Sequence, residues 1–219
     1  MRKFLTLLLG AVLALTACAP TETPTPTPTP QVVTVYATPA AQPWLSDLFA
    51  CAAPFGLVLR VVDAPAAAEI RLRLGEPAGL AEAVYQVGVE QVLVVAHPSS
   101  PLQPLSTEET RALFAGAGLP SGEVWVYAEG EDIQQVFSAE VMGGQLVSSE
   151  ARMVGSPQQM TDALTSTPGA VGILPQRGPL GSLRIVHAIP NVPVLALLSA
   201  PPVGAVQGAL ACMQQKTAP

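Results

Sequence analysis

The chain has 219 residues, with 10 Lys or Arg against 16 Asp or Glu and a formal net charge of −6. Lys3 and Lys216 are its only lysines. That balance, without a basic stripe or an aromatic platform, excludes nucleic acid as an expected partner. The length allows one domain or two small lobes around a real core.

The chain starts with a basic Met1-Arg2-Lys3, followed by the apolar run FLTLLLGAVLALTA. That run has the length of a secretory h-region and is too short for a comfortable membrane span. It ends in Leu15-Thr16-Ala17-Cys18, which resembles the bacterial lipobox. The resemblance implies removal of residues 1–17 and an acyl lipid (palmitate or similar) on Cys18. Each buried CH2 adds ~0.8 kcal/mol of membrane affinity, so several chains anchor stably. Four Thr-Pro pairs follow, Thr23-Pro24 to Thr29-Pro30. Every second residue lacks an N–H, so 23–30 is expected to form an extended polyproline-II spacer, with residues 18–30 as lipidated Cys and linker. The expected location is extracytoplasmic, in the cell envelope, lipid-anchored to a membrane.

Beyond the spacer, strand and helix patterns alternate. VVTVYA (32–37) reads as a strand. Pro43 then opens a helix with Trp44, Leu45, Leu48, Phe49 and Ala52 on one face, stopped by Gly56. LVLRVVD (57–63) and EIRLRLG (69–75) read as strands. EQVLVVAHP (90–98) is a continuous apolar strand expected to be covered on both sides. Ser106 with Glu109 reads as a capping box, and Gly116 and Gly118 end its helix. EVWVYA (123–128) is a strand, and Asp132 with Gln135 reads as the cap of the next helix. Ser156, Pro157 and Gln159 read as cap, first-turn proline and box partner. GAVGILP (169–175), LRIVHAI (183–189) and VPVLALLS (192–199) are strands. The last helix carries Val203, Val206, Leu210 and Met213 on one face. The class is α/β with mainly parallel sheets and flanking helices.

Cys51 and Cys212 remain after the lipid cysteine. In an oxidising compartment an even pair suggests a disulfide, with two buried free thiols as the alternative.

The segment 90–137 resembles the middle of type II periplasmic solute-binding proteins, closest to the phosphate-binding branch. The matching residues are His97-Pro98, Ser100-Pro101, Leu105-Ser106, Glu109, Leu113-Phe114, Gly116, Trp125 and Val126-Tyr127. Residues 156–175, SPQQMTDALTSTPGAVGILP, resemble a second segment of that family. The resemblance implies two α/β lobes, 31–97 plus 190–215 and 98–189, joined by two hinge strands. It implies a ligand in the cleft between them, contacted by loops and helix N-termini. It also puts Cys51 and Cys212 in one lobe.

The candidate ligand residues are Thr38, Gln42, Ser99, Ser100, Gly130, Asp132, Ser156 and Gln158. The branch's small-residue loop before the helix is here Glu129-Gly130-Glu131-Asp132. Three carboxylates disfavour an anion there, since like charges at 4 Å cost ~4 kcal/mol at a surface-like dielectric. Arg60, Arg71, Arg152 or Arg177 would have to fold in to offset them. The plainer reading is that Asp132 caps its helix while Glu129 and Glu131 face solvent.

The two histidines, His97 and His187, have no Cys or acid at metal spacing, so no metal site is expected. No nucleophile elbow, Walker loop or dinucleotide fingerprint occurs, so neither cofactor nor catalysis is expected. A hydrolase would need Ser99 or Ser100 joined to His97 or His187 and an acid. The expected function is a monomeric solute-binding lipoprotein that captures a small solute or oxyanion by lobe closure and hands it to an ABC permease. The alternative is an accessory or sensor lipoprotein that keeps the fold without transport.

Overall fold

A computed structural model describes residues 31–77, 79, 82–117 and 122–217. The leader, Cys18 and the Thr-Pro spacer lie outside the described residues. The strands are β1 (Gln31–Ala37), β2 (Leu57–Val61), β3 (Ile70–Leu74), β4 (Ala83–Ala96), β5 (Trp125–Tyr127), β6 (Arg152–Val154), β7 (Val171–Pro175) and β8 (Arg184–Leu198). The helices are α1 (Leu45–Ala52), α2 (Thr107–Phe114), α3 (Asp132–Phe137), α4 (Pro157–Ser166) and α5 (Gly204–Thr217). Among them, no helix is long and apolar enough to cross a membrane.

The main sheet has the order β2-β1-β3-β8-β4-β7. β1 is parallel to β2 and β3, whereas β8 runs antiparallel to β3 and β4, and β7 antiparallel to β4. The sheet is therefore mixed, where the alternating pattern had suggested mostly parallel pairing. β5 and β6 form a parallel pair that a bridge between Val124 and Val171 joins to β7.

β4 and β8 have 14 and 15 residues and span roughly 45–50 Å each. One end of the pair carries β3, with Ile70–Leu74 against 194–198; the other carries β7, with 171–175 against 92–96. The partners change between 88–92 on β4 and 189–194 on β8. Irregularities in register at Gln86/Gly88 and Glu90/Val92 mark that middle stretch. Asn191 there is the one non-glycine described residue with positive φ, 58°. β8 replaces the two strands read at 183–189 and 192–199. Pro190, which has no N–H to donate, fits where the ladder is interrupted.

Each half buries its own apolar side. β4 from Val92 to Ala96 is at most 1% exposed, as its unbroken apolar run predicts for a strand covered on both faces. α1 and α5 pack together, α1 also against β2 and α5 against β4, with Leu48, Cys51, Leu210 and Met213 inward. Cys51 and Cys212 are bonded there, with their Cα atoms 5.6 Å apart. Phe49, read as inward, is 43% exposed, because its helix begins two residues after Pro43 and a 3-10 turn fills 42–44. α5 starts at Gly204, which leaves Val203 outside its buried face. The Ser106–Glu109 capping box is present in both directions. At α4, Ser156 accepts from the Gln159 N–H, but the Gln159 side chain takes the Gly155 N–H rather than that of Ser156.

Candidate functional site

β1 and β3 are parallel, so their C-terminal ends meet at one edge, where open α/β sheets present their binding loops. Thr38 follows β1 and Leu74 ends β3. From the other half, α3 brings Asp132 against them. The Asp132 carboxylate accepts from the Thr38 hydroxyl at 2.6 Å, the Leu74 N–H at 2.7 Å and the Ile133 N–H at 2.8 Å. Asp132 is 2% exposed. It does not cap its helix: the N-cap position is Glu131, which makes no side-chain cap bond. The sequence reading of Asp132 is corrected here, because the carboxylate turns inward to donors 94 and 58 residues away. Beside it Arg73 donates to Gln135 Oε1 at 2.8 Å, a second bond between the halves.

Asp132 colours the groups around it. Partial burial, then the Asp132 charge, pushes the Glu131 carboxyl above the usual carboxylate range. The Tyr36 phenol is pushed up by burial and then by Glu131 and Asp132. Tyr127 is pushed up in the same direction, mainly by burial. Burial lowers the Arg73 guanidinium, and Asp132 partly opposes this.

The second link between halves centres on Trp44. Its indole N–H donates to Glu90 Oε2 at 3.0 Å, and Glu90 is 2% exposed. The Arg177 guanidinium from the loop after β7 lies 3.7 Å from the Trp44 ring centroid and donates to Asp47 Oδ2 at 2.6 Å. That hydrogen bond, before any other cause, holds the Asp47 carboxyl below its ordinary value. A cation stacked on indole and paired at its edge is a preferred arginine arrangement.

Between these two links lies a cavity of about 620 Å³. Pro39, Gln42 and Pro43 line it from one half; Ser156, Gln158 and Arg177 line it from the other. No carboxylate lines it. A second cavity, of about 440 Å³, has Arg73, Glu76, Gln135 and Glu140 in its wall.

The structure brings Gln42, Ser156 and Gln158 to one cavity and joins Thr38 to Asp132 by a hydrogen bond outside its lining. It does not bring the others. Gly130 sits in an exposed turn, its carbonyl accepting from Gln135. Ser99 and Ser100 are not at a crossover but beyond the end of β4, in the turn where His97 N–H reaches Ala170 O. The reason is the length of β4, which had already crossed by Val92. There Ser99 Oγ lies 2.7 Å from His97 Nδ1, and Arg184 donates to the Ser100 and Leu102 carbonyls. Among the described residues no carboxylate hydrogen-bonds His97, so the contact lacks the orienting acid of a catalytic triad. Among the same residues no group of three His, Cys, Asp or Glu could hold a metal ion.

Trp44, Glu90 and Arg177 were missed as site residues. Trp44 read as a helix-face residue and Arg177 only as one of four cations. A buried Glu inside an apolar strand, as at position 90, was the available signal, since an acid is almost never fully buried unless paired.

No family model matches the chain, and no curated protein matches it. Solved structures do. A phosphate ABC transporter substrate-binding protein with bound phosphate from Clostridium perfringens superposes with a TM-score of 0.70 at 11% identity. The match covers 84% of this chain and 93% of that one. The chain has the type II periplasmic-binding-protein fold. An ABC-type phosphate transport receptor from Vibrio cholerae matches with a TM-score of 0.59 at 12% identity, over 84% of this chain and 93% of that one. The regulatory domain of Synechocystis PCC6803 CcmR in complex with 2-PG matches with a TM-score of 0.58 at 14% identity, over 85% and 97%. Transport receptors and regulatory domains thus share this fold, and those named are binding or regulatory proteins.

Proposed function

We propose that the chain is an extracytoplasmic, lipid-anchored solute-binding protein that takes a small organic anion between its two halves. The observation that carries this reading is the carboxylate-free cavity of about 620 Å³ lined by Gln42, Ser156, Gln158 and Arg177. Its prolines offer apolar walls and its amides and guanidinium offer donors. That pairing suits a carboxylate or phosphate ester with an organic body. The bare oxyanion suggested by the sequence resemblance is less well served, because Asp132 already takes the Thr38, Leu74 and Ile133 donors. The leader and Thr-Pro spacer support membrane attachment through Cys18, and the receptors it resembles support an ABC permease as partner. Nothing in the site calls for catalysis.

One observation favours the second reading, an accessory or sensor lipoprotein: the chain's own groups join the halves, through Asp132, through Arg73 with Gln135 and through Arg177 with Asp47. Thermal melting against inorganic phosphate, sulfate, amino acids, organic acids and sugar phosphates separates the two. A ligand at 100 times its Kd adds ~2.7 kcal/mol, or roughly 5–11 °C for a domain of this size. A shift with an organic anion supports solute binding. No shift across the panel supports the accessory reading.

A further inference from the structure

The carboxylate of Asp132 is bound the way a ligand would be. Its three donors come from both halves: a hydroxyl and a backbone N–H from the ends of β1 and β3, and a backbone N–H from α3. It is buried, and among the described residues it makes no salt bridge. A buried anion held by neutral donors, and not by a cation, is the arrangement of an oxyanion site with its occupant in place. Here the occupant is part of the chain. The stretch between the halves has an interrupted register on β4 and β8 and a positive φ at Asn191.

We infer that Asp132 is a built-in occupant of an oxyanion site between the halves, a self-inhibitory contact that keeps the cleft shut and excludes free small oxyanions. The inference rests on reading the space between the halves as the ligand cleft, and it deepens that reading by assigning specificity. With the carboxylate in place, a second small anion would meet both a filled donor set and a like charge. Solutes are left with the outer cavity, which has room for an organic body. The surroundings agree. Glu131, in the same turn, and Tyr36, on β1, have their proton loss made harder by burial first and, to a lesser extent, by the Asp132 charge. Arg73 is the nearest cation and spends its guanidinium on Gln135 and the Leu74 carbonyl.

The test is chemical rescue of the full chain in detergent. Asp132→Ala leaves the Thr38, Leu74 and Ile133 donors without a partner in a buried place, and is expected to melt lower by roughly 5–10 °C. Formate, acetate, phosphate or sulfate at tens of millimolar should restore several of those degrees in the variant. The wild type should move no more than it does in chloride of equal ionic strength. Rescue by carboxylates alone supports the inference with a tight site, and rescue by tetrahedral anions as well supports it with a roomier one. No differential rescue overturns it, as does a wild type that phosphate stabilises. Should the variant fail to fold, hydrogen exchange on the wild type decides. The Leu74 and Ile133 amides are expected to be protected without any added anion, and rapid exchange there overturns the inference. The wild-type panel tests the outer cavity and the rescue tests Asp132, so each can fail alone.

Discussion

Cutting the Cys51–Cys212 bond should be the most damaging small change to the fold that leaves every apolar contact in place. The two cysteines are 161 residues apart, so the bond closes nearly the whole folded chain into a loop. On the chain-entropy model a loop of that length restrains the unfolded state by ~5 kcal/mol. At 2–4 °C per kcal/mol for a chain of this size, reduction should lower Tm by roughly 10–20 °C. Cys51 is fully buried between α1 and α5, and its thiol can stay there after reduction, so little packing loss offsets this figure. The assay is a melt of the purified chain with and without reductant. The double variant Cys51→Ala/Cys212→Ala should match the reduced wild type and ignore reductant. Thiol titration of the denatured chain should rise by two on reduction. A fall of less than about 3 °C, or no rise in thiols, refutes the reasoning.

Three further outcomes are expected. Gly88→Ala would drive a Cβ into the Trp44 ring, which is 1% exposed and pinned between Glu90 and Arg177. Overpacking of this kind costs ~1–3 kcal/mol, and near-ultraviolet circular dichroism should report the moved indole. Glu131→Gln should raise Tm at pH 7 by about 1–3 °C. The folded pKa of Glu131 is raised, so its ionised form weakens the fold as pH rises through that value. The gain should therefore vanish near pH 4, where the wild-type carboxyl is protonated. Asp47 has the opposite sign. Its folded pKa is lowered, so the Arg177 bond contributes above the ordinary aspartate value and is lost as pH falls through the folded one. Arg177→Gln should accordingly flatten the acid side of the stability profile.

The sequence made local structure visible and left the site hidden, for one physical reason. Signals carried within four residues came through. They include the Ser106–Glu109 box, the Ser156 cap with Pro157, and the inward spacing of Val206, Leu210 and Met213. The Cys51–Cys212 pair was also legible, because compartment and parity constrain it without geometry. β4 was read seven residues short at its start. Residues 83–89 look like a weak alternating stretch until β8 pairs with them. Two prolines made β8 look like two strands. Asp132 was misread because a carboxylate at the start of a helix has a common local use, and its actual partners are Thr38 and Leu74. Trp44 and Glu90, 46 residues apart, meet only once the 3-10 turn before α1 reaches β4. Gln42, Ser156 and Gln158, which line one cavity, were named through resemblance to a known cleft, not from their own spacing.

The most direct measurement is titration calorimetry of the purified chain with small organic carboxylates, sugar phosphates and inorganic phosphate, on wild type and Arg177→Gln. The expected result is saturable binding of an organic anion, weakened at least tenfold by the substitution, with no heat from inorganic phosphate. Binding of inorganic phosphate by the wild type, or an organic anion bound equally well without Arg177, would contradict it.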